Sequence, residues 1–268
     1  VVNLIEVYQT DSHIYMVIDF CSGGDLRSFL TKSPGGKVSE EKAISILADI
    51  LQGFKALVEN NVIHRDVKPE NILISDGIHK LADFGLSKIV YNYQGGMLQT
   101  MCGTPLYMAP QILLNQTYTT KCDIWSVGLI FYEMVFGNTP WPCKSQFELV
   151  SNIQKMPVRF PHHQSICEDS RDFIQNTLQL EESSRLSWNE CFNSTLITKK
   201  PAANHHHLEK SYTLDDLSKN ILTKLQNKFN NKGYSVESIF SDFAFKDKNS
   251  LQIEEFTKLM LKIDSNSD

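Results

Sequence analysis

His64-Arg65-Asp66-Val67-Lys68-Pro69-Glu70-Asn71, followed by Asp83-Phe84-Gly85, is the stretch whose reading decides the fold. A lone Asp or Asn in a loop normally serves turn formation, because its short side chain bonds its own backbone. Here a carboxylate, an ammonium, an amide and a second carboxylate arrive in order within one short segment. Carboxylate and amide oxygens are the hard donors that Mg²⁺ prefers. The segment therefore reads as a reaction centre, carried on short strands and loops.

A long helix precedes it. Ser39 is a good N-cap, and Ile44, Leu47, Ile50/Leu51, Phe54 and Leu57/Val58 recur at helical spacing with one buried face. Further upstream, residues 1–8 and 14–20 read as extended segments joined by a polar turn at Thr10-Asp11-Ser12. Cys21-Ser22-Gly23-Gly24-Asp25 breaks that pattern, a short helix is expected from Asp25, and residues 31–37 read as a surface loop. Downstream, residues 118–192 are helical in pattern, with Pro140, Pro142, Pro157 and Pro161 marking loops. The apolar run 124–137 is interrupted by Glu133 and is too short to cross a bilayer, so it reads as a buried core helix. Phe131, Trp141, Trp188 and Phe192 read as core aromatics, with Ser187 capping a last helix.

The chain has 268 residues, room for one large domain or a domain plus a small module. A hydrophobic fraction of 41% and a charged fraction of 21% suit a protein with a sizeable core. The net charge of -5 and the lack of a basic stripe argue against nucleic acid as a partner. Cys21, Cys102, Cys122, Cys143, Cys167 and Cys191 are scattered without metal-ligand pairing and read as reduced thiols. That reading, with no visible signal peptide, gives the expectation of an intracellular, cytoplasmic protein with no membrane partner. The opening Val1-Val2-Asn3, without methionine, reads as a fragment or an incomplete gene model.

Residues 1–195 resemble the eukaryotic protein kinase family. The motifs that carry the resemblance are residues 64–71, Asp83-Phe84-Gly85, Gly103-Thr104-Pro105 with Met108-Ala109-Pro110-Gln111, Asp123-Ile124-Trp125-Ser126-Val127-Gly128, and Arg185. The resemblance implies ATP and Mg²⁺ as cofactors and a protein Ser/Thr hydroxyl as acceptor, since phosphoryl transfer asks a protein mainly to position groups and neutralise charge. By that resemblance Asp66 orients the attacking hydroxyl, Lys68 faces the transferring phosphate, and Asn71 and Asp83 hold magnesium. Lys68 and the Gly-Thr-Pro element are typical of serine/threonine kinases. His64 and Phe84 are implied to be packed core residues. Ile18 falls at the gatekeeper position and Asp19 and Cys21 on the hinge. Leu73 falls on the adenine floor, and Asp25 is placed to reach the ribose or a basic substrate residue. Asp25 and Glu70 together hint at basic residues ahead of the acceptor.

The resemblance also implies a control segment between Asp83 and Pro110. Thr100 is its expected phosphosite, set by an upstream kinase, with Arg65 and Lys88 as partners; phosphate and arginine form strong charge-assisted hydrogen bonds. Where the family usually ends this segment in a glutamate paired with a distant arginine, this chain has Gln111, and its matching arginine is Arg185. Gln111 is expected to contact Arg185 through its amide oxygen, with some loss of stability. Asp123 is expected to brace the catalytic loop. The final helix resembles those of the calmodulin-dependent and Unc-51-like groups. The family's glycine-rich loop, phosphate-binding lysine and partner glutamate do not appear ahead of the hinge. The two extended segments are therefore expected to expose an edge and an apolar face.

Beyond a linker at 196–211, residues 212–264 read as a helical module resembling an EF-hand, with Phe240, Phe243, Phe256 and Leu259 flanking a loop that ends in Glu254-Glu255. Its ligand positions fall on Ala244, Lys246 and Lys248, and Asn249 replaces the turn glycine, so calcium binding is expected to be lost. The expected fold class is α+β, mainly α: a kinase C-lobe with two residual N-lobe strands and a small all-α module. Three functions compete, namely a serine/threonine kinase whose activity belongs to the parent enzyme, this chain alone being expected to be catalytically incomplete without its phosphate clamp, a pseudokinase or regulatory scaffold, and a calcium-sensor-like binding module. The intact Asp66, Lys68, Asn71 and Asp83 favour the first.

Overall fold

The computed structural model describes residues 1–9, 14–90, 97–162 and 164–198. The Thr10-Asp11-Ser12 turn, the linker and the EF-hand-like module lie outside the described residues. Strands β1 (Leu4–Gln9) and β2 (Ile14–Ile18) form an antiparallel ribbon, with Val7 opposite Met16 and Tyr8 opposite Tyr15. Leu4, Val7, Ile14, Met16 and Ile18 share one exposed face of it. Its inner end is tied down, as Val2 donates to the Leu81 carbonyl at 2.9 Å.

Helix α1 (Leu26–Lys32) begins where Asp25 caps it, its carboxylate accepting from the Ser28 amide at 2.8 Å. It therefore extends into the segment read as a loop, and the break comes at Pro34, which opens a single 3₁₀ turn. Helix α2 (Glu40–Glu59) is capped by Ser39 and buries Ile46, Leu47, Ile50, Phe54 and Leu57. Four short strands follow: β3 (Val62–Ile63), β4 (Ile72–Ser75), β5 (Ile78–Leu81) and β6 (Lys88–Ile89). β4 pairs with β5 and β3 with β6, both antiparallel, so the sequence between β3 and β6 is held by two short ladders.

Short α3 (Pro110–Leu113) precedes α4 (Lys121–Phe136), the axis of the domain. Every residue from Cys122 to Phe136 is buried, as an almost uniformly apolar helix requires. It ends at Gly137, whose φ of 82° is the left-handed geometry that glycine adopts without strain. Around it lie α5 (Gln146–Lys155), α6 (Glu168–Thr177), α7 (Trp188–Phe192) and α8 (Thr195–Thr198). Phe131 meets Phe173 edge-on at 5.8 Å, Trp125 stacks on Trp141 at 5.4 Å, and Phe54 stacks on Trp188 at 4.4 Å. No helix of the described residues is long and apolar enough to cross a membrane.

Candidate active site

The segment after β3 does not turn by its own preference; α4 holds it. Asp123, 1% exposed near the start of α4, accepts from the His64 amide at 2.8 Å and the Arg65 amide at 2.9 Å. Between those contacts Arg65 is held at φ 68°, a region costly for a side chain with a Cβ. His64 is fully buried and donates from Nε2 to the Ala82 carbonyl at 3.0 Å, which leaves Nδ1 to accept from the Asp66 amide. Its ring lies 5.0 Å from that of Phe84.

Asp66 sits in a cage of donors. Lys68 Nζ reaches its Oδ2 at 2.7 Å, Thr104 Oγ1 its Oδ1 at 2.9 Å, and Asn71 Nδ2 its Oδ2 at 3.1 Å and its carbonyl at 2.8 Å. Burial alone would raise this carboxyl, yet the Lys68 ammonium and the Thr104 and Asn71 donors bring it below the ordinary Asp value. It is therefore ionised at neutral pH and aimed by three side chains. Thr104 is within reach only because Gly103 precedes it. A Cβ on Gly103 would lie 2.5 Å from the Arg65 carbonyl oxygen, and its φ of 108° suits glycine alone.

Asn71 and Asp83 are joined through one hydrogen bond, from the Ala82 amide to the Asn71 carbonyl at 2.9 Å. Asn71 commits its amide nitrogen to Asp66, which leaves its side-chain oxygen as the donor for a cation. Asp83, at φ 60°, is exposed, with the Gly85 amide 3.2 Å from Oδ1. Two hard oxygens on adjacent strand ends fit Mg²⁺, which binds through one or two protein oxygens and completes its shell with water and phosphate.

This loop, so braced and so furnished, has its counterpart in a known family: the protein kinase domain family matches residues 1–197. The chain belongs to that family. It is 36% identical over 201 residues to serine/threonine-protein kinase atg1 of Dictyostelium discoideum, covering 71% of this chain and 29% of that protein. It is 30% identical over 209 residues to serine/threonine-protein kinase unc-51 of Caenorhabditis elegans, 74% of this chain and 24% of that protein. A further relative, serine/threonine-protein kinase cds1 of Schizosaccharomyces pombe, is 34% identical over 199 residues, 71% of this chain and 43% of that one. The chain thus spans less than half the length of each. Of the two groups that the final helix resembles, Unc-51-like kinases stand among these relatives.

In this kinase domain the residues expected on the adenine side run from the end of β2 alongside β4. Ile18 is 47% exposed, and Asp19 binds Lys80 at 3.2 Å and the Asn3 side chain at 2.8 Å. Burial raises the Cys21 thiol. Gly23 and Gly24 exchange backbone bonds with Ile74, which sets Asp25 against half-buried Leu73. Both oxygens of Asp25 are engaged by Ser28, at 2.8 Å to its amide and 2.7 Å to its hydroxyl. Asp25 is thus a helix cap, its carboxylate taking up the amide three residues on.

In the segment expected to exert control, Thr100 is exposed and its carbonyl accepts from Tyr118 Oη at 2.8 Å. Arg65 Nε donates to the Leu86 carbonyl at 2.6 Å, and Lys88 is exposed on β6 opposite Ile63. Burial pushes the Tyr118 hydroxyl up to about 12 although the Arg65 side chain opposes it. Gln111 Oε1 accepts from Arg185 Nη2 at 3.2 Å, and its Nε2 donates to the Leu180 carbonyl at 2.5 Å. Arg185 is 2% exposed; it also donates to the Gln179 and Lys121 carbonyls, and burial brings its guanidinium down to about 10.

Two groups of residues escaped sequence reasoning. Thr104 was visible only as a motif letter, with no hint that its hydroxyl holds Asp66. Arg27, Tyr107 and Glu133 form a polar cluster with Glu70; its sequence signals were Glu70, read as a contact for a basic substrate residue, and Glu133, a carboxylate interrupting an apolar run that needs a cation partner.

Proposed function

We propose that the protein carrying this chain transfers the γ-phosphate of ATP to serine or threonine hydroxyls of proteins. The observation that carries the proposal is the caged Asp66, 2.7 Å from Lys68 and 2.9 Å from Thr104, with Asn71 and Asp83 beside it. Asp66 orients the acceptor hydroxyl and takes its proton late, since its lowered pKa makes it a weak base. Lys68, once released from Asp66 by an incoming hydroxyl, neutralises charge on the transferring group. Asn71 and Asp83 would hold Mg²⁺, which together with ATP supplies the phosphoryl group and screens its charge. Ile18, Asp19, Cys21 and Leu73 bound the adenine side. Phosphate on Thr100 would fall near Arg65 and Tyr118 and order the control segment.

The test measures transfer of labelled phosphate from Mg·ATP to a serine peptide by the protein that carries this chain, in its wild-type, Asp66→Asn and Asp83→Asn forms. Loss of at least 100-fold in both variants is expected; equal label from all three would refute the proposal. A regulatory scaffold is the competing reading, and an intact base, lysine and cation pair weighs against it, because a scaffold needs none of them. For residues 236–263 we propose an EF-hand-like hairpin without calcium, checked by calorimetry on the full chain, where micromolar calcium binding would overturn it.

A further inference from the structure

Two carboxylates beside the candidate acceptor site are filled from within the chain. Arg27, in the first turn of α1, donates from Nε to Glu70 at 2.9 Å and from Nη1 to Glu133 at 2.7 Å. Its Nη2 contacts the Tyr107 hydroxyl, which donates to Glu133 at 2.6 Å. Glu133 is 7% exposed, and the Glu70 side chain is 44% exposed. Burial disfavours the Arg27 charge, but the two glutamates more than compensate and raise its pKa.

The position of this cluster gives it meaning. Glu70 directly precedes Asn71, which grips Asp66, and Tyr107 closes the turn that begins after Thr104, the other grip on Asp66. Both walls of the cluster are thus continuous with the elements that aim the candidate base. A peptide presenting its hydroxyl to Asp66 would pass close to Glu70, four residues along the same loop. Carboxylates so placed are a site for a basic side chain, and a planar guanidinium fits them with a fork of parallel bonds.

We propose that Arg27 is a specificity-determining residue that occupies this acidic site in place of a substrate arginine, so the enzyme does not select basic residues ahead of its acceptor. This rests on the kinase reading above and reverses the basic preference that Asp25 and Glu70 suggest from sequence alone. Arg27→Met keeps the aliphatic stem against its neighbours and vacates the fork. The site would then take up arginine from the peptide.

The experiment measures fluorescence anisotropy of two labelled serine peptides on the full chain, one with arginines ahead of the serine and one with alanines there. Wild type is expected to bind both within about threefold, and Arg27→Met to prefer the arginine peptide at least tenfold. That preference should vanish in the Arg27→Met/Glu133→Gln double variant. Methylguanidinium, added as a competitor, should raise the melting temperature of Arg27→Met and abolish its preference. Glu70→Ala guards against a folding failure at Arg27, because Glu70 is the more exposed partner. With Arg27 still seated on Glu133, it should leave the peptide ratio unchanged. A wild type that already favours the arginine peptide tenfold, a folded Arg27→Met with the wild-type ratio, or a Glu70→Ala that loses arginine-peptide binding would each overturn the proposal. If neither peptide binds any variant, the kinase reading falls and this inference with it.

Discussion

Replacing Gln111 by Glu places a carboxylate opposite a buried arginine, and the competing energies can be compared. Arg185 Nη2 lies 3.2 Å from Gln111 Oε1, while the Arg185 side chain is buried under α4 and against the Trp125 ring at 5.1 Å. Unit charges about 4 Å apart at an effective dielectric near 20 attract by about 4 kcal/mol. Against this stand the lost hydrogen bond from Gln111 Nε2 to the Leu180 carbonyl, about 1 kcal/mol, and the cost of partly burying a new carboxylate, about 2 kcal/mol. The balance favours Gln111→Glu by about 1 kcal/mol, a rise in melting temperature of about 2–4 °C for a domain of this size. The new carboxyl has a folded pKa below its unfolded value of about 4.3. Its stabilisation is therefore complete above that pH and is lost as pH falls through the folded pKa. Gln111→Ala moves the other way, removing a bond to a charged group worth about 1.5–3 kcal/mol. Thermal unfolding monitored by tryptophan fluorescence at pH 7 and pH 3 checks the series. A Gln111→Glu protein that melts at or below wild type at pH 7, or keeps its advantage undiminished at pH 3, would refute the reasoning.

Gly103→Ala should lower phosphate transfer at least 100-fold, because its Cβ at 2.5 Å from the Arg65 carbonyl oxygen displaces Thr104 from Asp66; steady-state assays on protein that still melts cooperatively check it. Asp123→Asn can accept at only one oxygen, so either the His64 or the Arg65 amide loses its partner, and hydrogen exchange there should quicken at least tenfold. Ser187→Ala removes one half of the Ser187–Glu190 capping box and should cost about 1 kcal/mol in urea unfolding. The Glu190 carboxyl is held below the ordinary Glu range by the Ser187 amide and hydroxyl. Wild type should therefore lose that support as pH falls below about 4.3, and Glu190→Gln should show a flatter acid limb.

Much of this was legible in the chain because its decisive features are local. Ser39 and Ser187 cap the helices that follow them, and the 44–58 periodicity became the buried face of α2. The run 124–137 is a core helix, as its lack of polar faces dictates. The exposed apolar face of the β1–β2 ribbon was expected because the elements that would cover it do not appear ahead of the hinge, and on β2 it follows the alternation of Ile14, Met16 and Ile18. What stayed hidden was long-range pairing. Arg27 and Glu133 lie 106 residues apart, and Thr104 and Asp66 lie 38 apart. Neither pairing leaves a mark on neighbouring residues. The Asp25 cap was obscured for a different reason. A carboxylate expected beside a nucleotide invites a ligand, whereas its nearest donor was the Ser28 amide.

Helix α4 sets a common datum for three parts of the candidate site. Asp123 fixes the loop that carries Asp66, Ser126 Oγ bonds the Tyr107 carbonyl at 2.8 Å, and Glu133 anchors Arg27. Spacings of three and seven residues lay these groups along one stripe of the helix, about 15 Å long. Errors of position among candidate base, flanking turn and proposed specificity residue therefore do not accumulate along the chain; each is measured from the same rod. A displacement of the rod carries all three together. Substitutions in its buried face should reduce how much of the protein is folded while leaving the turnover of each folded molecule nearly constant.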